Sequence, residues 1–160
     1  MAGTRLADTL SAQEGTAFIT IDGVTRELFE ISSVKAQLDL IVQERRMLGS
    51  RMTQHKVTGV SGSGSATLYF MNSEQLNQTI NYINNGTRGN ISLLITNNDP
   101  QSSVGEQTVT LSNVIFNTIP VATLEESDDP VTFDSDFTFD SIESQSSFVL
   151  PDYIKPVKNK

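Results

Sequence analysis

The chain has 160 residues with 19 acidic and 11 basic side chains, a net charge of −8. That balance lacks the basic field from which nucleic-acid binders draw most of their affinity. No cysteine is present, which excludes a disulfide scaffold and any thiolate metal site. No apolar run approaches a membrane span, and the opening Met1-Ala-Gly-Thr-Arg-Leu-Ala-Asp8 lacks the apolar core of a signal peptide. Synthesis in the cytoplasm is the expectation.

A chain of this length fits one domain with a real core. With no Trp and eight Phe, that core must come from Ile, Val, Leu and Phe. Ser, Thr and Asn interleaved with apolar residues favour strands and turns. The N-x-S/T triplets at Asn77, Asn85 and Asn90 read as accidents of an Asn-rich sequence in the absence of a secretion signal.

In chain order, residues 1–14 are polar and patternless and read as a flexible arm. Ala17-Phe-Ile-Thr-Ile21 followed by Asp22-Gly23 reads as a strand and tight hairpin turn, with a return strand near Glu27. From Val34 to Gln43 the alternation puts Val34, Ala36, Leu38, Leu40 and Val42 on one face and Lys35, Gln37, Asp39, Ile41 and Gln43 on the other. This predicts a strand with one buried face.

Residues 44–64 follow, with Gly49, Gly59, Gly62 and Gly64, and read as a long loop of a functional kind. Ser65–Met71 is the next strand. Ser73–Ile83 is a helix: Ser73 caps it, Glu74 complements its first turn, and Leu76, Ile80 and Ile83 form an apolar stripe. Asn84-Asn85-Gly86 ends it. Ile91–Thr96, Gln107–Asn117 and Ile119–Leu124 are further strands. Val131–Asp140 alternates most clearly, with Val131, Phe133, Ser135, Phe137 and Phe139 facing one way. The Ser-rich stretch from 144 to 160 reads as a second arm. The fold class is mainly β: an antiparallel sandwich or half-barrel with one short helix and a long internal loop, whose open strand edges need cover or partners.

The charge is segregated along the chain. Arg45, Arg46, Arg51, His55 and Lys56 cluster in the loop, and only Arg88 is basic between Val57 and Ile154. Glu125, Glu126, Asp128, Asp129, Asp134, Asp136, Asp140 and Glu143 fall in one stretch without a base. A solvated loop and a solvated acidic face would account for this. So would self-complementarity, in which the basic loop of one copy meets acidic surface on another.

Gly59–Gly64 matches the opening of a phosphate-cradling loop, but Ser65 stands where Lys is required and a strand follows. The glycines read instead as hinges of the loop. Asp134, Asp136 and Asp140 lack the central Gly of a calcium loop, and strand alternation explains their spacing. His55, the single histidine, has no G-x-S-x-G partner motif and reads as a docking contact. No catalytic, metal or cofactor site is expected, and no enzyme.

At Arg51-Met-Thr-Gln-His-Lys-Val-Thr-Gly59, followed by Gly62, Gly64, Ala66, Thr67 and Tyr69, the chain resembles the XkdM-like tail tube proteins of contractile phage tails, defective prophages and tail-derived bacteriocins. The helix, the strand Gln107–Phe116 and the acidic, Phe-rich strand fall in matching order, so the likeness extends over roughly residues 12 to 143. It implies one tail tube domain whose inner sheets join into a barrel ring of six copies, with rings stacked inside a sheath. The implied partners are other copies of the chain, the sheath protein, the baseplate or tube initiator, and the tape measure and tail terminator proteins. DNA would pass only in transit, if the particle is a phage. The loop 44–64 would then reach a neighbouring subunit through Arg45, Arg46, Arg51, His55 and Lys56. Gln37, Asp39 and Gln43 are candidates for lining the channel, where a neutral or acidic wall would not hold DNA. The alternative is a secreted ring-forming tube protein of a type VI secretion system.

Overall fold

A computed structural model describes residues 5–11, 15–28 and 30–151. The protein is mainly β, with antiparallel sheets and one short α-helix, as the alternation predicts. The strands are β1 (Gly15–Ile21), β2 (Val24–Glu27), β3 (Ile31–Arg46), β4 (Thr53–Tyr69), β5 (Ile91–Asn98), β6 (Glu106–Ser112), β7 (Ile115–Phe116), β8 (Thr132–Phe139) and β9 (Ser141–Ser146); α1 is Glu74–Asn85. The chain forms two compact units, one of Met1–Phe29, Gly89–Ser112 and Ile142–Lys160, the other of Glu30–Arg88 and Asn113–Ser141.

The first unit is a five-stranded sheet in the order β2-β1-β5-β6-β9. Its buried face is written by register: Ala17 pairs with Ile95 and Ile19 with Leu93, and Leu93 pairs with Leu111. All five are buried. The β1–β2 hairpin turns on Asp22 (φ 52°) and Gly23 (φ 85°), the pair of positive φ values that a two-residue turn of this hand requires. Because the turn is so tight, β2 begins at Val24, opposite Ile21, three residues before the expected return.

The β5–β6 turn holds both terminal segments. The Asp99 carboxylate, itself buried, accepts the Ser11 and Gln101 N–H groups, each at 2.9 Å. The Ser102 hydroxyl donates to the Asp8 carbonyl at 2.9 Å, and Val149 N–H donates to Val104 O at 2.8 Å. The described parts of the two expected arms are therefore tied down, and β9 occupies residues read as the start of the second arm. Residues 1–4, 12–14 and 152–160 of those arms lie outside the described residues.

The second unit is a four-stranded sheet in the order β3-β4-β8-β7, together with α1. Its core holds Ala66, Leu68, Val114, Phe116, Phe137 and Phe139. Phe137 sits between the other two rings, with centroids 5.6 Å from Phe116 and 6.4 Å from Phe139. In β8 the alternation reads true: Ser135, Phe137 and Phe139 are buried, while Thr132, Asp134, Asp136 and Thr138 are exposed.

Three expectations need correction here. The strand expected over Gln107–Asn117 is two strands in different sheets, broken at Asn113, whose φ of 54° is incompatible with extended backbone. The run Ile119–Leu124 forms no strand, since Pro120 can donate no ladder hydrogen bond. Ser73 occupies the N-cap of α1 without a side-chain bond; the Asn72 carboxamide oxygen accepts the Glu74 N–H instead, at 2.8 Å. The other end is as predicted, with Gly86 left-handed (φ 72°) and its N–H bonded to Tyr82 O.

Candidate assembly surface

Strands β3 and β4 pair from Ile31–Leu68 out to Arg46–Thr53, but β8 covers β4 only between Gly62 and Tyr69. Beyond Gly62 the sheet is a bare two-stranded ribbon. Eight residues of β3, 39 to 46, run past the cover, about 25 Å at strand rise. The span 44–64 is thus not a loop but the distal hairpin of this ribbon. Only residues 47–52 turn, with Gly49 at φ 85° and Ser50 N–H bonded to Met47 O at 3.2 Å. Gly-rich sequence masked strand here because glycine lowers strand propensity, whereas cross-strand pairing settles the conformation.

One ribbon face is apolar. Leu38 stands opposite Gly62, Leu40 opposite Val60 and Val42 opposite Val57, with a bulge at Thr58 that keeps the two strands in phase. The Thr58 hydroxyl donates to Ile41 O at 3.2 Å. This is the outward continuation of the face that carries Ala66, Phe137 and Phe139. The expected burial of Leu38, Leu40 and Val42 does not occur: they are 48%, 58% and 49% exposed, and Val57 and Val60 are 52% and 54% exposed. The alternation is that of a half-buried strand, yet among the described residues nothing within one copy closes over the face. At the tip, Met47, Leu48 and Met52 are also exposed.

The five basic residues share the hairpin but not a face. By register, Arg46 and His55 lie on the apolar side, and Arg45 and Lys56 on the other; Arg51 is in the turn. His55 Nε2 meets the Glu44 carboxylate across the ribbon at 3.4 Å, with both side chains more than half exposed. The cluster is a collar around the tip rather than a patch.

The opposite face is polar apart from Ile41, which is exposed on it. Gln37, Asp39 and Gln43 share it with Ser61 and Ser63, and Gln37 donates to Asp39 at 3.3 Å. Asp134, Asp136 and Thr138 of β8 continue it, and the Thr67 hydroxyl donates to Asp134 at 2.6 Å. Lys35 is its base near the body of the sheet. Asp134 and Asp136 therefore take their spacing from one exposed strand face.

Gly62 and Gly64 are not hinges. Both sit inside β4, opposite Phe139 and Phe137, and the rings lie over them. A Cβ on Gly62 would stand 2.4 Å from the Phe139 ring; one on Gly64 would stand 2.4 Å from both Phe137 Cζ and Lys35 O. The bare backbone is a seat for the aromatic core. Gly59, with only Ile41 Cδ1 at 3.5 Å, is under no such demand. The stretch Gly59–Gly64 is extended throughout, so it cannot cradle phosphate.

Two features escape a reading of the sequence. One is β9, whose segment Ser141–Ser146 has only Ile142 as an apolar residue. The other is the direction of the α1 stripe: Ile80 and Ile83 are 45% and 72% exposed. Among the described residues no helix is long and apolar enough to cross a membrane.

Within one copy, and among the described residues, β3 is an edge strand and the apolar ribbon face projects beyond the core. Residues 3–145 match the phage tail tube protein family, and the chain belongs to that family. It is 30% identical over 136 residues to the phage-like element PBSX protein XkdM of Bacillus subtilis (strain 168), covering 85% of this chain and 90% of that protein. It is 30% identical over 148 residues to the uncharacterized protein YqbM of the same strain, covering 92% and 94%. The likeness to XkdM-like proteins read from the hairpin motif is thereby confirmed.

Among solved structures, a chain of the sheath–tube complex of an extracellular contractile injection system, PVC, in its extended state superposes with a TM-score of 0.64 at 12% identity, covering 88% of this chain and 94% of that one. A chain of the anti-feeding prophage baseplate gives 0.63 at 14% identity, covering 90% and 97%. At these identities the likeness is one of fold.

Proposed function

We propose that this protein is the structural subunit of the inner tube of a contractile tail, phage or phage-tail-like, without catalytic activity. Six copies close a ring by joining their sheets edge to edge, and rings stack around a central channel. The observation that carries this reading is the β3–β4 ribbon, which has a 16-residue edge strand and an apolar face half exposed in the single copy. Unpaired edges invite pairing, and a head-to-tail contact whose rotation closes makes a ring. A barrel pooled from several chains encloses a wide lumen. Family membership and the tube-like fold support the same conclusion.

The polar face carrying Gln37, Asp39 and Gln43 lines the channel in this arrangement, neutral to acidic apart from Lys35 and, toward the tip, Arg45 and Lys56. The basic collar of Arg45, Arg46, Arg51, His55 and Lys56 meets acidic groups on a neighbouring subunit or ring. The sheath protein, baseplate or tube initiator, tape measure and tail terminator are the other partners, and DNA is a passenger only in a phage. The subunit is made in a bacterial cytoplasm and resides in the particle.

Negative-stain microscopy of the purified protein tests the reading. Rings or hollow rods are expected. Solitary subunits at every concentration, even with sheath and baseplate added, would refute it. A solved tube with a positively charged lumen would refute the lining.

A further inference from the structure

Amphipathic helices of soluble domains turn their apolar stripe to the core. Helix α1 leaves the C-terminal part of its stripe exposed. Gln75, Gln78 and Thr79 are half-buried along with Leu76, whereas Ile80, Tyr82 and Ile83 are 45%, 55% and 72% exposed. A helix of 12 residues is marginal by itself in water, so this one depends on packing along its half-buried side. In the same unit, the ribbon face of Leu38, Leu40, Val42, Val57 and Val60 is also an uncovered apolar surface among the described residues. Among the described residues both surfaces are left exposed within one copy.

They match each other in size and charge. From Leu76 to Ile83 the stripe rises about 10 Å; from Leu38 to Val42 the ribbon runs about 13 Å. Neither surface bears a charged side chain between those limits. Past Val42 the ribbon face carries Glu44 and His55, which meet at 3.4 Å across the ribbon, and beyond that pair Arg46. The last turn of α1 has no basic residue of its own, so its carbonyl end, partially negative, lacks a complement that Arg46 would supply. The single charge in its first turn is Glu74, at the end that complements the amide dipole.

We infer that the apolar ribbon face seats helix α1 of a second copy, with Ile83 against Val42 and Val57 and the helix C-terminus toward Arg46. This rests on the tube-subunit reading and deepens it by naming the two surfaces that meet. The surfaces differ, so each copy offers one of each, and the contact propagates around a ring or along a filament.

The absence of cysteine makes crosslinking unambiguous. Val42→Cys with Ile83→Cys, oxidised in assembled particles, should give a ladder of covalent oligomers on a non-reducing gel, whereas each single variant gives dimers at most. Gln43→Cys with Ile83→Cys places one thiol on the opposite ribbon face and should give no ladder. Ile83→Glu, at an exposed position, should leave the circular dichroism of the subunit unchanged and raise the concentration needed for assembly about tenfold or more. Particles that form normally without a ladder, a Gln43 pair that crosslinks as well as the Val42 pair, or normal assembly by Ile83→Glu would each overturn the inference while leaving the tube reading intact. A wild-type chain that never assembles would refute the tube reading, and this inference with it.

Discussion

Replacing Gly64 by Ala separates a glycine that seats a ring from one that bends a loop. The new methyl carbon would lie 2.4 Å from Phe137 Cζ, 2.8 Å from Phe137 Cε2 and 2.4 Å from Lys35 O. The carbonyl belongs to β3 and is held by the ladder that pairs Ala36 with Gly64. Phe137 is 1% exposed and wedged between Phe116 and Phe139, so the ring has nowhere to swing. Overpacking of this kind costs about 1–3 kcal/mol. With ring and backbone both displaced, the upper end applies, about 3 kcal/mol.

Gly59→Ala is the internal control. Its nearest neighbour would be Ile41 Cδ1 at 3.5 Å, ordinary contact. There the lost freedom of the unfolded chain is the main effect, a gain of about 0.4–1 kcal/mol. Urea unfolding of dilute subunits followed by circular dichroism should therefore show the two substitutions moving the midpoint in opposite directions. Phe137→Leu in the Gly64→Ala background should recover part of the loss, because contacting sites couple. Equal effects of Gly59→Ala and Gly64→Ala would refute the seat.

The triple substitution of Arg45, Arg46 and Arg51 by Glu should leave soluble, folded subunits that form no long tubes, since all three are exposed at the tip; normal tube lengths under the microscope would remove the role assigned to the collar. Leu40→Glu should leave the melting temperature of the subunit within about 2 °C, because a change at an exposed site is worth about 0.5 kcal/mol or less, while sedimentation shows assembly abolished by a carboxylate placed where burial is required. Trypsin should cut the free subunit at Arg51, which sits in an exposed turn, and spare it in assembled tubes; equal cleavage in both states would count against a tip buried by assembly.

Local chemistry settled what it controls directly. Asp22-Gly23 dictated a tight turn because only residues tolerant of positive φ fit it, and Gly86 ended α1 for the same reason. The alternation of β8 named its buried Phe137 and Phe139, and that of β3 correctly sorted Leu38, Leu40 and Val42 onto one face and Gln37, Asp39 and Gln43 onto the other. Periodicity reports which residues share a face, not whether anything lies over it. That β8 stops opposite Gly62, leaving Leu40 and Val42 bare, is a matter of long-range pairing. So are the seating of Phe137 and Phe139 over Gly64 and Gly62, the division of the basic residues between two faces, and the outward stripe of α1. Burial is a property of pairs of distant segments, and in the tube arrangement proposed above some of the partners implied by the pattern come from other copies of the chain.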